Sequence, residues 1–189
     1  MPPVPKKPEE ELRNLSAPRD LIDWVRKMPP ATAKRDAWVD ASRADWMPYI
    51  AALRGISNGT ILRAICEIAG DVIAKQEGPE MERLRATLAA AAANGPNALK
   101  TTEKDLDDLR LAIVASGVQT QPGARPPWMY WAELVFELAR SSARGNPLLG
   151  MGMAMKLLAY SNTIAKPSAR AAHHDFVARL RDKLTTAAS

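Results

Sequence analysis

The chain has 189 residues, of which 47% are hydrophobic and 25% are charged, and its formal net charge is +5. This amino-acid composition is typical of a globular domain with its own core, and it argues against disorder across the whole chain. A single cysteine, Cys66, excludes an internal disulfide. The apolar run over 148–160 is broken by Lys156 and is too short to span a bilayer. We therefore expect a cytoplasmic protein without a membrane segment.

The N-terminal residues, 1–16, are expected to form a flexible tail. Prolines interrupt regular hydrogen bonding there, and the charged residues beside them favour solvation (Pro2, Pro3, Pro5, Pro8). Order should begin at Pro18, in the first turn of a helix. The sequence predicts a single helical domain over residues 17–187.

Apolar residues recur at helical spacing through most of this domain. The clearest helix covers Ile61 to Ile73, where Ile61, Ile65 and Ile68 lie on one face, and we expect it to be central. An internal loop is expected over 117–127, and it leaves open a division into two subbundles. No strand pattern is found, so the sequence predicts an all-α bundle of about eight helices. Its expected core is Trp24, Trp38, Ile61, Ile65, Ile68, Val72, Leu109, Trp131, Val135, Phe176 and Leu180.

No pattern in the sequence supplies a recognisable catalytic or metal site. His173 and His174 are adjacent, so on a helix they point about 100° apart, and one such pair cannot provide the three or four ligands of a metal centre. Cys66 has no histidine in its own stretch to activate it. We expect no cofactor, no metal and no enzymatic activity, although an enzyme that uses scattered carboxylates stays open.

Two glycines alternate with methionines at the start of a predicted helix, in the segment 150–153. A dinucleotide fingerprint would need a preceding strand and a third glycine, and position 155 is Met. Two interpretations remain. The glycines favour close helix packing with methionines as adaptable fillers, and the alternative is a pliable partner groove lined by Met151, Met153 and Met155.

The C-terminal region from Lys166 carries five Lys or Arg residues against two Asp residues. It is either a surface that faces phosphates or an ordinary solvated helix face. No helix-turn-helix spacing or aromatic-basic pattern accompanies it. Taken with the methionines, the candidate partner-binding residues are Met151, Met153, Met155, Arg170, His173, His174, Arg179, Arg181 and Lys183.

Residues 21–73 contain a series of short motifs: Trp24, Ala37-Trp38, Arg43-Ala44-Asp45-Trp46-Met47 and Ala64-Ile65-Cys66-Glu67. This series resembles a group of Ala-rich, all-helical bacterial and phage proteins that includes immunity proteins of polymorphic toxin systems. The chain departs from the group's pattern at Ser42, Ala44 and Ile65. The resemblance implies a helical fold and an inhibitor that binds a toxin. In this stretch Asp45 is expected to cap a helix and the tryptophans to anchor the core.

The leading hypothesis is therefore a non-enzymatic protein-binding protein, in particular an immunity-type inhibitor. The alternative is a nucleic-acid-associated accessory protein that uses the basic C-terminal helix. Because the chain is net basic, electrostatic complementarity predicts that the contacted surface of a protein partner is neutral or acidic.

Overall fold

The computed structural model describes residues 7–74, 79–100, 108, 111, 127–162 and 168–186. These residues form ten α-helices and one 3₁₀ turn (Ala44–Trp46), and no strand occurs among them, which confirms the all-α prediction. The helices are α1 (Pro8–Asn14), α2 (Arg19–Arg26), α3 (Ala33–Asp40), α4 (Met47–Leu53), α5 (Asn58–Ile73), α6 (Pro79–Asn94), α7 (Pro96–Lys100), α8 (Pro127–Ala143), α9 (Pro147–Ser161) and α10 (Ala169–Thr186).

Helix α1 lies inside the segment that was predicted to be a flexible tail, so that prediction is wrong for residues 8–14. Pro8 begins the helix, where its missing N–H would have no helical partner anyway, and three glutamates in the first turn suit the helix dipole. Leu12 is fully buried, and Lys34 Nζ lies 2.7 Å from Glu11 Oε2. The first proline-rich residues, 1–6, lie outside the described residues.

One apolar cluster includes buried residues of all ten helices. Of the predicted core, Trp38, Ile61, Ile65, Ile68, Trp131, Val135, Phe176 and Leu180 are buried, while Trp24 and Val72 are partly buried against the cluster. Leu109 lies outside the described residues, as does the predicted loop at 117–127. Helix α9 is central, since it packs against α4, α5, α8, α10 and the 3₁₀ turn.

Close approach of backbones explains the two glycines of α9. A Cβ added to Gly150 would lie 2.7 Å from both the backbone oxygen of Glu137 and the Cβ of Ser141 on α8. A Cβ on Gly152 would lie 3.0 Å from the backbone oxygen of Asp45. The close-packing interpretation of this glycine pair is confirmed.

The prediction that Asp45 caps a helix is wrong, because the N-terminus of α4 has no side-chain cap. The carboxylate is instead held by Arg43, whose Nη2 lies 2.6 Å from Oδ2 and whose Nε lies 3.2 Å from Oδ1. Arg43 also pairs with Asp20 and lies 4.6 Å from the centre of the Trp46 ring. A two-point bond to a guanidinium competes with capping, and the ion pair of Arg43 with Asp20 fastens this turn to α2.

Candidate partner-binding surface

Helix α9 is buried on most sides, but one line of side chains along it reaches the surface. Leu149, Met153, Lys156 and Tyr160 follow the spacing i, i+4, i+7 and i+11, which places them on one helix face. Leu149 is 45% exposed and Tyr160 is 39% exposed, while the other two are half-buried. We call these four residues the α9 stripe.

The composition of the α9 stripe is unusual for a solvent-facing line. The outward face of a helix in a globular protein is normally polar or charged. Here three of four positions are apolar or aromatic, and the fourth, Lys156, lies with its Nζ 5.7 Å from the centre of the Tyr160 ring. Apolar residues grouped in this way, with a polar rim, are typical of a protein contact site.

Tyr160 is held in place by its neighbours. The His173 ring meets it edge to face, with centroids 6.0 Å apart and an interplanar angle of 81°. His173 is itself fixed, because the backbone N–H of Ala44 donates to its Nδ1 at 3.2 Å. An exposed aromatic that is already ordered loses little side-chain entropy when a partner binds, so Tyr160 suits a role as anchor.

Burial lowers the pKa of His173, which favours the neutral imidazole. The charge of Asp45 acts in the opposite direction, while Arg43 and Lys156 lower the pKa further. His174 is exposed on the next position of α10, and the two adjacent histidines thus lie in different surroundings. His173 is a packing residue at the edge of the α9 stripe.

The three candidate methionines divide between core and surface. Met151 is 1% exposed and Met155 is fully buried, so the prediction that they contact a partner is wrong. They lie four residues apart and therefore face the same way, into the core. Met153 is offset from both by half a helix turn and belongs to the α9 stripe. The partner-groove interpretation thus fails for two methionines, and Met153 alone stays a candidate.

The basic residues of α10 do not form one patch. Arg179 lies 3.1 Å from Asp175, and Lys183 lies 2.9 Å from Glu67 of α5. Arg181 reaches the other way and donates to the backbone oxygen of Val39 on α3 at 3.1 Å. Three of the predicted phosphate-facing cations are therefore engaged within the protein: Arg179 on α10 itself, Lys183 toward α5 and Arg181 toward α3.

Arg170 is exposed and lies one turn before His173 on α10. Lys156 is the one charged residue of the α9 stripe. The sequence alone did not single out Leu149, Lys156 or Tyr160. Their spacing from Met153 was visible there, but it did not reveal which face of an almost wholly apolar helix stays uncovered.

A groove of about 600 Å³ lies between α5, α6 and α10. Arg63, Glu67, Asp71, Arg85 and Lys183 are among the residues that line it, and Leu88 and small side chains of α6 contribute apolar surface. Arg63 donates to the backbone oxygen of Ala92 at 3.2 Å, and Lys183 pairs with Glu67. Three of these five charged residues are thus engaged within the protein.

Cys66 is buried, and burial, with a contribution from Glu67, raises the pKa of its thiol to about 12, so the reactive thiolate is disfavoured. No group of three or more His, Cys, Asp or Glu side chains within the described ranges could hold a metal ion. None of the described helices combines the length and apolarity needed to cross a membrane.

No protein-family model, no curated protein and no solved structure matches the chain. The resemblance of residues 21–73 to immunity proteins therefore stays a prediction from the sequence.

Proposed function

We propose that this chain is a non-enzymatic protein-binding protein that docks on its partner through the α9 stripe. The observation that carries the proposal is the exposed line of Leu149, Met153 and Tyr160 on a helix that is otherwise buried. Anchors at i, i+4 and i+11 are the pattern by which one helix face engages a groove on another protein. The ordered Tyr160 ring supports it, because hot spots are enriched in tyrosine.

The charge around the stripe supports a partner of defined character. Lys156 belongs to the stripe, the exposed Arg170 lies one turn before His173 on α10, and both side chains repel a cationic surface. We therefore propose a partner that offers apolar pockets with a neutral or acidic rim. The positively charged, phosphate-binding site of a nuclease fits this surface poorly.

The particular form that we propose is an immunity-type inhibitor, which would act in the cytoplasm by covering the working surface of a toxin. The resemblance of residues 21–73 supports this form. A reduced, buried Cys66 is compatible with a cytoplasmic location. The contact surface and the immunity role are separable, since any protein partner with a complementary groove would use the same stripe.

The decisive experiment compares a double variant, Leu149→Ala with Tyr160→Ala, against Val39→Ala. Val39 is 60% exposed on α3 and provides a matched loss of exposed apolar surface outside the stripe. A partner captured from the source cell is purified, and its affinity is measured by calorimetry. We expect the double variant to bind at least about 10-fold more weakly, because the two anchors each contribute ~1 kcal/mol or more. Val39→Ala should bind like the parent.

Melting temperatures of the variants separate a binding effect from unfolding. A double variant that stays folded and keeps the parent affinity would refute the α9 stripe as the contact surface. The nucleic-acid alternative rests on the net charge of +5 and the cations of α10. Tight binding to random duplex or single strands that falls steeply with salt, without any protein partner, would favour that alternative.

A further inference from the structure

His173 lies where three elements meet, at the Tyr160 end of the α9 stripe. It belongs to α10, its Nδ1 accepts from the backbone N–H of Ala44 in the 3₁₀ turn, and its ring edge meets Tyr160 of α9. One imidazole thus joins the 3₁₀ turn to the exposed aromatic that we assign to partner binding. His174, one residue later, is exposed.

The hydrogen bond to Ala44 fixes the protonation state that His173 must have. An imidazole that accepts at Nδ1 is neutral and carries its proton on Nε2. A second proton would convert Nδ1 into a donor, and two N–H groups would then face each other across 3.2 Å. The Ala44 N–H would lose its acceptor, which costs free energy at a partly buried site.

The charged groups around His173 come from two elements. Asp45 and Arg43 belong to the 3₁₀ turn and the residue before it, and Lys156 projects from α9. Asp45 favours the charged imidazole, but Arg43 already binds both of its carboxylate oxygens. Arg43 and Lys156 repel a second proton on the ring. The surroundings therefore hold one partly compensated anion against two cations.

We propose that His173 is an acid-sensitive latch of the partner-binding surface. Protonation breaks the bond from Ala44, separates the 3₁₀ turn from α10, and releases the Tyr160 ring from its fixed position. Partner affinity then falls with acidification, because Tyr160 must be ordered again on binding. The effect on affinity rests on the proposed function, whereas the latch itself does not.

The direction of the pH dependence follows from burial. The pKa of His173 is lowered in the folded protein, so the unfolded chain binds more protons in the range below the ordinary pKa of about 6.5. The stability contributed by the neutral ring is therefore present above that value and declines as the pH falls through it.

The experiment is an NMR titration of the full chain from about pH 8 to about pH 5, which covers the range where histidine titrates. We expect the imidazole of His173 to titrate below the ordinary histidine pKa of about 6.5. The Ala44 amide and the Tyr160 ring signals should shift with the midpoint of His173. The latch is refuted if His173 titrates at or above the ordinary histidine pKa of about 6.5, or if the signals of Ala44 and Tyr160 do not follow it.

Two matched variants complete the test. His173→Gln keeps an acceptor for the Ala44 N–H but does not titrate, so its melting temperature should depend less on pH than that of the parent. His174→Gln removes the exposed neighbouring imidazole and should leave the pH-dependent shifts of Ala44 and Tyr160 in place. If His173→Gln fails to fold, the titration of the unaltered protein still decides. If the latch titrates as expected but a captured partner binds equally well at both pH values, the latch stands and Tyr160 is excluded from the contact surface.

Discussion

The two sides of α9 carry similar residues, but one side is buried in the core and the other reaches the surface. On the buried side, Gly150 and Gly152 let neighbouring backbones approach, and Met155 is sealed in the core. On the exposed side, Leu149 and Met153 belong to a line with no such cover. Residue type therefore does not separate buried from exposed positions in this helix. Angular position does, because residues four apart share a side and residues two apart do not.

The largest expected effect lies on the buried side. Met155→Ala truncates a fully buried side chain and leaves a cavity in the core. We therefore expect a loss of about 2–5 kcal/mol in the free energy of unfolding. Urea denaturation followed by circular dichroism measures it. Met155→Leu, which nearly conserves volume, should cost less than about 1.5 kcal/mol. Equal stability of Met155→Ala and the parent would mean that this side of α9 is not tightly packed.

The next-largest expected effect concerns the close packing of α9 against α8. A substitution that adds one carbon atom tests it. Gly150→Ala places a Cβ 2.7 Å from the Glu137 backbone oxygen, and we expect it to destabilise the protein by about 1–3 kcal/mol despite the better helix propensity of alanine. Gly70→Ala is the matched control on α5, since nothing lies within 4 Å of its added Cβ. It should stabilise by about 0.5–1 kcal/mol. Chemical denaturation that ranks the two variants the other way would contradict the contact between α8 and α9.

Sequence periodicity predicted the helical class and most of the core. An apolar stripe at helical spacing, such as Ile61, Ile65 and Ile68, is stable only when it faces the core. It failed for α1, where a single apolar residue, Leu12, anchors a short helix. There the prolines suggested a broken chain, although Pro8 occupies the helix position that tolerates proline. The local sequence pattern cannot show that Leu12 is buried by helices that follow later in the chain.

The candidate surface was harder to predict for a related reason. Helix α9 is apolar almost all round, so its sequence indicates burial but not which line remains exposed. That depends on where the other helices pack. Likewise, the cluster of basic residues near the C-terminus looked continuous in sequence, whereas Lys183 turns toward Glu67 and Arg181 toward Val39.

The smallest expected change in stability concerns Met153, the methionine on the exposed side. Met153→Gln preserves the length of the side chain and makes it polar, so at a half-buried position we expect the free energy of unfolding to change by no more than about 0.5 kcal/mol. Binding should respond more strongly, because a polar amide in an apolar pocket loses hydration without a defined partner, and a several-fold loss of affinity for the captured protein is expected. Denaturation and calorimetry on the same variant measure both quantities. A large loss of stability with unchanged affinity would place Met153 with the buried methionines and remove the middle of the α9 stripe from the contact surface.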